Sequence, residues 1–355
     1  MKFRACVGAL VVMGSLFFAG CSTSNNTTPS SNGSLFVATQ GDKQLSSYQV
    51  DLSNGALTAS GTAQGTGVTP TSIAITPNGN TVFVANSADN SINSYAVSSD
   101  GTLASGSTIS TGLNTPRHMA IDASGALLFV ANQGSNSVSA FSISGTSLSF
   151  LTTTAVGANP IGLAASPTAS YLYVANSADN TVSQFSFDTS GNLTPLNPVI
   201  TTGTAPSAAI TSIDGKFLYV ANSGSSNVSA FSISATDGTL STITGSPFSA
   251  GLGPSSMAVS PGGLYLYVVD QQSNQISSFK IGATNGELTA TAPATTSVGV
   301  TPVWIAVHPL GTWVYVANLG SSSISRLQIK ASGALGVAGT AVNTTGTQPA
   351  AIALK

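Results

Sequence analysis

Charge is what this sequence has least of. Lysine and arginine number 9 and aspartate and glutamate 11 in 355 residues. That is 6%, against about 25% in ordinary globular proteins. The balance excludes the basic surplus on which nucleic-acid binding leans. An apolar content of 42% excludes a disordered polyelectrolyte. Two cysteines and two histidines exclude a zinc-finger or disulfide framework. There is one glutamate, Glu287, and the Glu and Lys content typical of helical proteins is missing. Polarity comes from Ser, Thr, Asn and Gly, a mix that suits short strands and tight turns. No EF-hand spacing, phosphate loop or Gly-x-Ser-x-Gly elbow occurs, so neither metal nor cofactor is expected. The length allows two domains, but a single β domain can also fill it.

The first residues read as an address. Lys2 and Arg4 precede an uncharged run from Ala5 to Gly20, too short for a membrane span and suited to a secretory signal over residues 1–20. Phe18-Ala19-Gly20-Cys21 resembles a bacterial lipobox, which implies lipidation of Cys21. Ordinary secretion and a retained helix are the alternatives. Residues 21–33 then form a flexible, lipid-anchored tether rich in Ser, Thr and Asn. By the sorting rule of such lipoproteins, Ser22 beside the cysteine implies the outer membrane of the cell envelope, if the host has one.

The remainder, 34–355, is one unit repeated seven times. Valines in an apolar run recur at Val37, Val84, Val130, Val174, Val220, Val268 and Val316, with spacings of 44 to 48 residues. Each run is apolar on both faces, as in Leu172-Tyr173-Val174-Ala175-Asn176, and needs cover on both sides. An Asn-rich loop, a second strand, a Gly turn and a weaker third strand follow. A fourth strand opens at Pro70, Pro116, Pro160, Pro206, Pro254, Pro302 and Pro349. Four short strands per repeat, seven times, predict an all-β, seven-bladed β-propeller. A β-helix would have shorter coils, and a sandwich would not repeat. Because the chain starts on the apolar run and ends on a lone proline strand, the C-terminal strand is expected to complete the first blade.

The Leu-Tyr-Val-Ala-Asn runs at 172–176 and 218–222 resemble the YVTN-type repeat. The whole of 34–355 resembles the lactonase seven-bladed propeller family, which includes 6-phosphogluconolactonases and carboxymuconate cyclases. In such propellers the proline strand lines the central channel. Pro116-Arg117-His118-Met119 resembles the family's Pro-Arg-His stretch, which implies a part in lactone chemistry for Arg117 and His118. A neutral imidazole can take a proton from water, and a guanidinium can hold a carboxylate or an oxyanion. The alternative is structural: Arg117 packs along the channel and His118 bonds a loop carbonyl.

Aligned with the other copies, Arg117-His118 and Val303-Trp304 are the exceptions after the proline, three blades apart and so facing across the channel. Asp122, His308 and Lys355 stand out at the strand's far end, about 13 Å away at ~3.3 Å per residue; they read as a solvated channel exit. Arg326 reads as a snorkelling cation. Asp89 and Asp179, with Asp42 and Asp270, place carboxylates on the Asn-rich loops of the upper face, where Asp89, Asp179 and Trp304 are the candidate binding residues.

Two functions remain open. One is a binding module of the cell envelope, engaging an envelope protein or glycan through its upper face. The sparse charge, the tether and the lack of further Arg, His or Glu around Arg117 favour it. The alternative is a lactone hydrolase with Arg117 orienting the substrate and His118 as base. With Arg117 the sole cation near the rim apart from Lys43, its substrate would be a small neutral or singly charged lactone.

Overall fold

The computed structural model describes residues 33–344 and 346–355. Cys21 and the expected signal and tether, Gly33 excepted, lie outside the described residues. Seven antiparallel sheets form the blades of a propeller. Blade 2 shows the plan: Pro70–Ile75, Thr81–Asn86, Ser91–Val97 and Leu103–Ile109 pair in that order. Blades 3 to 7 open with Pro116–Ile121, Pro160–Ala165, Pro206–Thr211, Pro254–Val259 and Pro302–Val307. Blade 1 is composite, as expected. Its inner strand is Pro349–Leu354, which pairs with Ser34–Thr39; Gln44–Val50 and Leu57–Gly65 complete the sheet. Each inner strand lies beside the next, and Pro349–Leu354 touches both Pro302–Val307 and Pro70–Ile75, which closes the ring. In blades 5 and 7 the outer strand is broken into two short pieces.

The core lies between the blades. Phe129 and Ala131 of blade 3, for example, pack on Leu172 and Val174 of blade 4. Similar slabs fill every other seam, including that between Trp313 and Tyr315 of blade 7 and Leu35 and Val37 of blade 1. This is why the second strand of each blade is apolar on both faces: a neighbour covers each side. Thr81–Asn86, Leu127–Asn132 and Phe217–Asn222 are buried throughout. Burying each Phe or Leu is worth about 1.5–3 kcal/mol. The outer strands, such as Leu57–Gly65, have one wet edge and are largely exposed.

Polar latches repeat around the upper face. Asn90 Oδ1 accepts the backbone N–H of Thr115 at 2.6 Å, and Asn180 Oδ1 that of Ala205 at 2.7 Å, each from one blade to the next. Asn136 does the same for Asn159 and Asn274 for Thr301. These loop asparagines sit in the left-handed region, with φ between 51° and 57°, a conformation Asn tolerates better than most residues.

Candidate active site at the channel mouth

Strand register explains how two consecutive residues reach the same opening. On an ideal strand Arg117 and His118 would point to opposite faces. Here Pro116 pairs with Asn132 and His118 with Ala131, so Arg117 is the extra residue of a bulge. Bulges re-aim side chains in this way. The same shift occurs at the start of the other proline strands, for example between Pro302 and Trp304. The fold thus offers a ring of bulges, and the local sequence decides what each one presents.

Three of the expected site residues come together. The rings of His118 and Trp304, from blades 3 and 7, stack across the channel with centroids 5.5 Å apart and planes inclined by 22°. Arg117 stands beside them, its side chain exposed to the opening. No hydrogen bond or ion pair to its guanidinium occurs among the described residues; the ion pair they contain is Lys216 with Asp214, at 3.0 Å. A hollow of about 280 Å³ lies over the stack, lined by Arg117, His118, Trp304, Ser255 and Gln271. The buried Ser255 hydroxyl in that wall has no partner. A second hollow of about 190 Å³ lies on the His118 and Trp304 rings toward blades 4 to 6, walled by Leu163, Ala208, Ile210 and Met257.

The state of His118 follows from its neighbours. The Leu163 backbone N–H donates to His118 Nδ1 at 3.3 Å. An imidazole nitrogen that accepts a hydrogen bond carries no proton, so the neutral ring bears its proton on Nε2. Burial, and secondarily the Arg117 charge, push the His118 pKa down to about 4. The ring is therefore neutral at physiological pH, a weak base and a ready Nε2–H donor. Partial desolvation by the channel walls also lowers the Arg117 pKa, although the side chain faces the opening, but a guanidinium stays charged.

The other candidates lie apart from this group. Asp89 Oδ2 accepts the Val68 N–H, and Asp179 Oδ2 the Ala158 N–H at 2.6 Å. Both carboxylates thus brace the loop that leads into the proline strand of their own blade. Asp179 also borders a side hollow of about 390 Å³ with Phe185 and Leu196, away from the mouth. Asp42 plays the same bracing part for Thr347, at 2.9 Å.

At the far end of the channel the reading as a solvated exit needs correction. Asp122 and His308 are 8% and 3% exposed. Each caps its own turn: Asp122 accepts from Leu127 N at 2.7 Å, and His308 Nδ1 from Leu310 N at 3.2 Å. Arg326 does not reach outward either. Its Nε donates to the Ala338 carbonyl at 2.7 Å, pinning the broken outer strand of blade 7.

Sequence reasoning missed the Leu163 amide, which has no side-chain signature. It also missed Gln271, which carries no signal of its own, since the equivalent position holds serine in three blades and glutamine again at Gln40 and Gln133.

The comparisons with known proteins agree with this fold. The family described as "Lactonase, 7-bladed beta-propeller" matches over residues 62–161 and 152–296. No curated protein matches the sequence. Among solved structures, a candidate 6-phosphogluconolactonase from Bacteroides fragilis has a TM-score of 0.82 and 21% identity, covering 93% of this chain and 100% of its own. The periplasmic gluconolactonase of Pseudomonas aeruginosa has a TM-score of 0.77 and 22% identity, covering 91% of this chain and 98% of its own. A virginiamycin B lyase from Staphylococcus aureus is more distant, with a TM-score of 0.56 and 15% identity over 78% of this chain and 85% of its own. At these identities the structures establish the fold alone, and the lyase illustrates that one architecture carries more than one chemistry.

Proposed function

The chain belongs to the seven-bladed lactonase propeller family, and from that premise we propose that it hydrolyses a small lactone at the upper channel mouth. The observation that carries the reading is the stack of His118 on Trp304 beside an unpaired Arg117. These side chains, from blades 3 and 7, meet across a channel mouth whose other copies carry small or apolar residues at these positions. Family membership and this cluster support the hydrolase reading over the binding module.

The tautomer of His118 changes its role from the one expected. With Nδ1 taken by Leu163 N–H, the ring acts as a donor rather than as the base. Water attacks the lactone carbonyl carbon and gives up a proton to a second water, while negative charge develops on the carbonyl oxygen. His118 Nε2–H and the Arg117 guanidinium stabilise that charge, as the donors of an oxyanion hole do. The ring C–O bond then breaks, its oxygen takes a proton from water, and a hydroxy acid leaves. One cation at the mouth suits a neutral or singly charged lactone. The His118–Trp304 stack fixes the imidazole plane, so little reorganisation is needed when the charge appears.

The test is a panel of gluconolactone, phosphogluconolactone and a muconolactone with wild-type, His118→Ala and His118→Gln protein. His118→Ala is expected to lower kcat by about 10²–10³, the usual effect of losing an oxyanion donor, and His118→Gln, which keeps an N–H, to lose less. A histidine base of ordinary pKa would make kcat/KM fall below pH 6.5. A donor whose pKa lies near 4 leaves it flat down to about pH 5. Background rates for all three proteins on every lactone would refute the hydrolase reading.

The same proposal includes export and lipid anchoring at Cys21. Its check is incorporation of labelled fatty acid into the wild-type protein and its loss in Cys21→Ser.

A further inference from the structure

The inner strands run from the mouth to the opposite face, so their exit turns and the turns before the outer strands lie together on a lower face. The chain enters the propeller there. Ser34 and Lys355 exchange backbone hydrogen bonds, Ser34 N to Lys355 O at 3.2 Å and Lys355 N to Ser34 O at 2.9 Å. Gly33 packs against the exit turn of blade 7, where a Cβ would stand 2.5 Å from His308 Nε2. Gly33 is twelve residues beyond Cys21, a reach of at most about 43 Å.

The lower turns differ around the ring. In blades 2 to 4 the exit turns read Pro77-Asn78, Ala123-Ser124 and Pro167-Thr168. In blades 5 to 7 they present Ile213, Leu264 and Leu310, which are 50%, 51% and 64% exposed. These side chains are not scattered. Ile213 and Leu264 share a hollow of about 250 Å³ with Pro261 and Ile281. Pro261 in turn reaches the blade 7 turn, within 3.6 Å of where a Gly311 Cβ would lie.

Charge follows the same division. The lower ends of blades 1 to 4 carry the exposed or half-exposed Asp51, Asp100 and Asp188 against Lys355. Those of blades 5 to 7 carry Lys216, Lys280 and Lys330 against Asp214, Asp237 and Glu287. An anionic surface is therefore repelled by the first sector and not by the second.

We infer that the lower face of blades 5 to 7 rests on the lipid surface to which Cys21 tethers the chain, leaving the channel mouth pointing away from the membrane. The inference rests on the lipid-anchor proposal. A few half-exposed aliphatic side chains hold a free protein only weakly, but a short tether supplies a high effective concentration. The arrangement gives the anchor a second purpose: it keeps the opening beside Arg117, His118 and Trp304 clear of lipid.

The experiment uses the full-length, processed protein on vesicles of phosphatidylethanolamine and phosphatidylglycerol. An environment-sensitive fluorophore is placed at Leu264→Cys on the lower face, or at Leu252→Cys, 57% exposed on the upper face. Nitroxide-labelled lipid is expected to quench the Leu264→Cys probe at least twofold more than the Leu252→Cys probe. Changing Ile213 and Leu310 to glutamate should abolish the difference. Equal quenching, or stronger quenching at Leu252→Cys, overturns the inference while the anchor reading stands, provided the protein still floats with vesicles and Cys21→Ser does not. If neither floats, the anchor reading fails and this inference with it. Protection of the Leu264→Cys probe that grows with protein concentration without lipid assigns the face to a second copy instead.

Discussion

The two parts of the ring solve one problem with different atoms. Each blade ends its third strand in a turn glycine with positive φ, and the neighbouring blade covers that turn. In blades 4 to 7 the cover is a buried tyrosine. Tyr173, Tyr219, Tyr267 and Tyr315 donate to the carbonyls of Gly238, Gly286, Gly333 and Gly55 at 2.8 to 3.0 Å. In blades 1 to 3 the same slot holds Phe36, Phe83 and Phe129, which have no hydroxyl to give. There Ser47 Oγ donates to Gly101 O at 2.6 Å, and Thr81 Oγ1 to Gly145 O at 3.2 Å. Six of the seven seams thus satisfy the same glycine acceptor, with different donors. An unpaired buried carbonyl costs about 1–3 kcal/mol, which is what each of these bonds offsets.

A second set of equivalent positions contains a larger discrepancy. Asn132, Asn176, Asn222 and Asn318 each donate Nδ2–H to a serine seven residues on, at 2.8 to 3.0 Å. Blade 6 has Asp270 there, fully buried. The bond is reversed, with the Ser277 hydroxyl donating to Oδ2 at 2.6 Å, while Oδ1 has no partner. Burial pushes the Asp270 pKa up to about 6. A raised carboxyl pKa means that folding takes up a proton. Its stabilising contribution is complete below the unfolded value, near 4, and is lost as pH rises through 6. Above pH 7 the ionised group costs about 3 kcal/mol relative to its protonated form. Asp270→Asn is therefore expected to raise stability at pH 8 by about 2–3 kcal/mol and to change it little at pH 4. Urea unfolding of both proteins across that range measures the difference directly. Taking the difference cancels the opposite slope from Asp51, Asp100, Asp188 and Asp237, whose lowered pKa values come chiefly from hydrogen bonds within their turns. A constant difference at all pH values would show that folding leaves the Asp270 pKa where it stands in the unfolded chain, and would refute the effect of burial.

The seams give the next largest effect. Tyr219→Phe removes the hydroxyl that reaches Gly286, and Ser47→Ala removes the one that reaches Gly101. Both are expected to cost about 1–2 kcal/mol, although one lies in each part of the ring. If Tyr219→Phe were neutral, the tyrosines would be large apolar fillers and the equivalence of the two solutions would fail.

The sequence made the frame legible and the chemistry only partly so. Seven valines at near-equal spacing and seven strand-opening prolines required four-stranded blades, and the lone strand at Pro349 required the composite blade 1. Such features are periodic, and periodicity is visible in one dimension. Arg117, His118 and Trp304 were found because they break the period, and closure of the ring explains why positions 118 and 304 stack. The protonation of His118 was not legible, because it depends on a backbone amide from blade 4. Nor could the burial of Asp122 and His308 be read, since both resemble exposed turn residues until the neighbouring blade covers them. Asp270 was visible as an aspartate on an Asn-rich loop. Its surroundings became clear only when the Ser277 bond showed it replacing a donor.

The smallest effect tests the comparison at its one gap. Among the described residues no side chain donates to the Gly191 carbonyl, and the blade 3 slot facing that turn holds Phe129, whose ring lies 4.9 Å from that of Phe187. A hydroxyl added there meets an acceptor without a donor. One added at Phe83 meets the Gly145 carbonyl, already served by Thr81. Phe129→Tyr is therefore expected to stabilise by about 0.5–1 kcal/mol, the net value of one added hydrogen bond. Phe83→Tyr should be neutral or slightly destabilising, because its hydroxyl would be buried with less to bond. Chemical denaturation of the pair reads the sign. If both substitutions destabilise equally, the phenylalanine seams are closed to a hydroxyl by packing, and the difference between the two parts of the ring is one of shape rather than of hydrogen bonding.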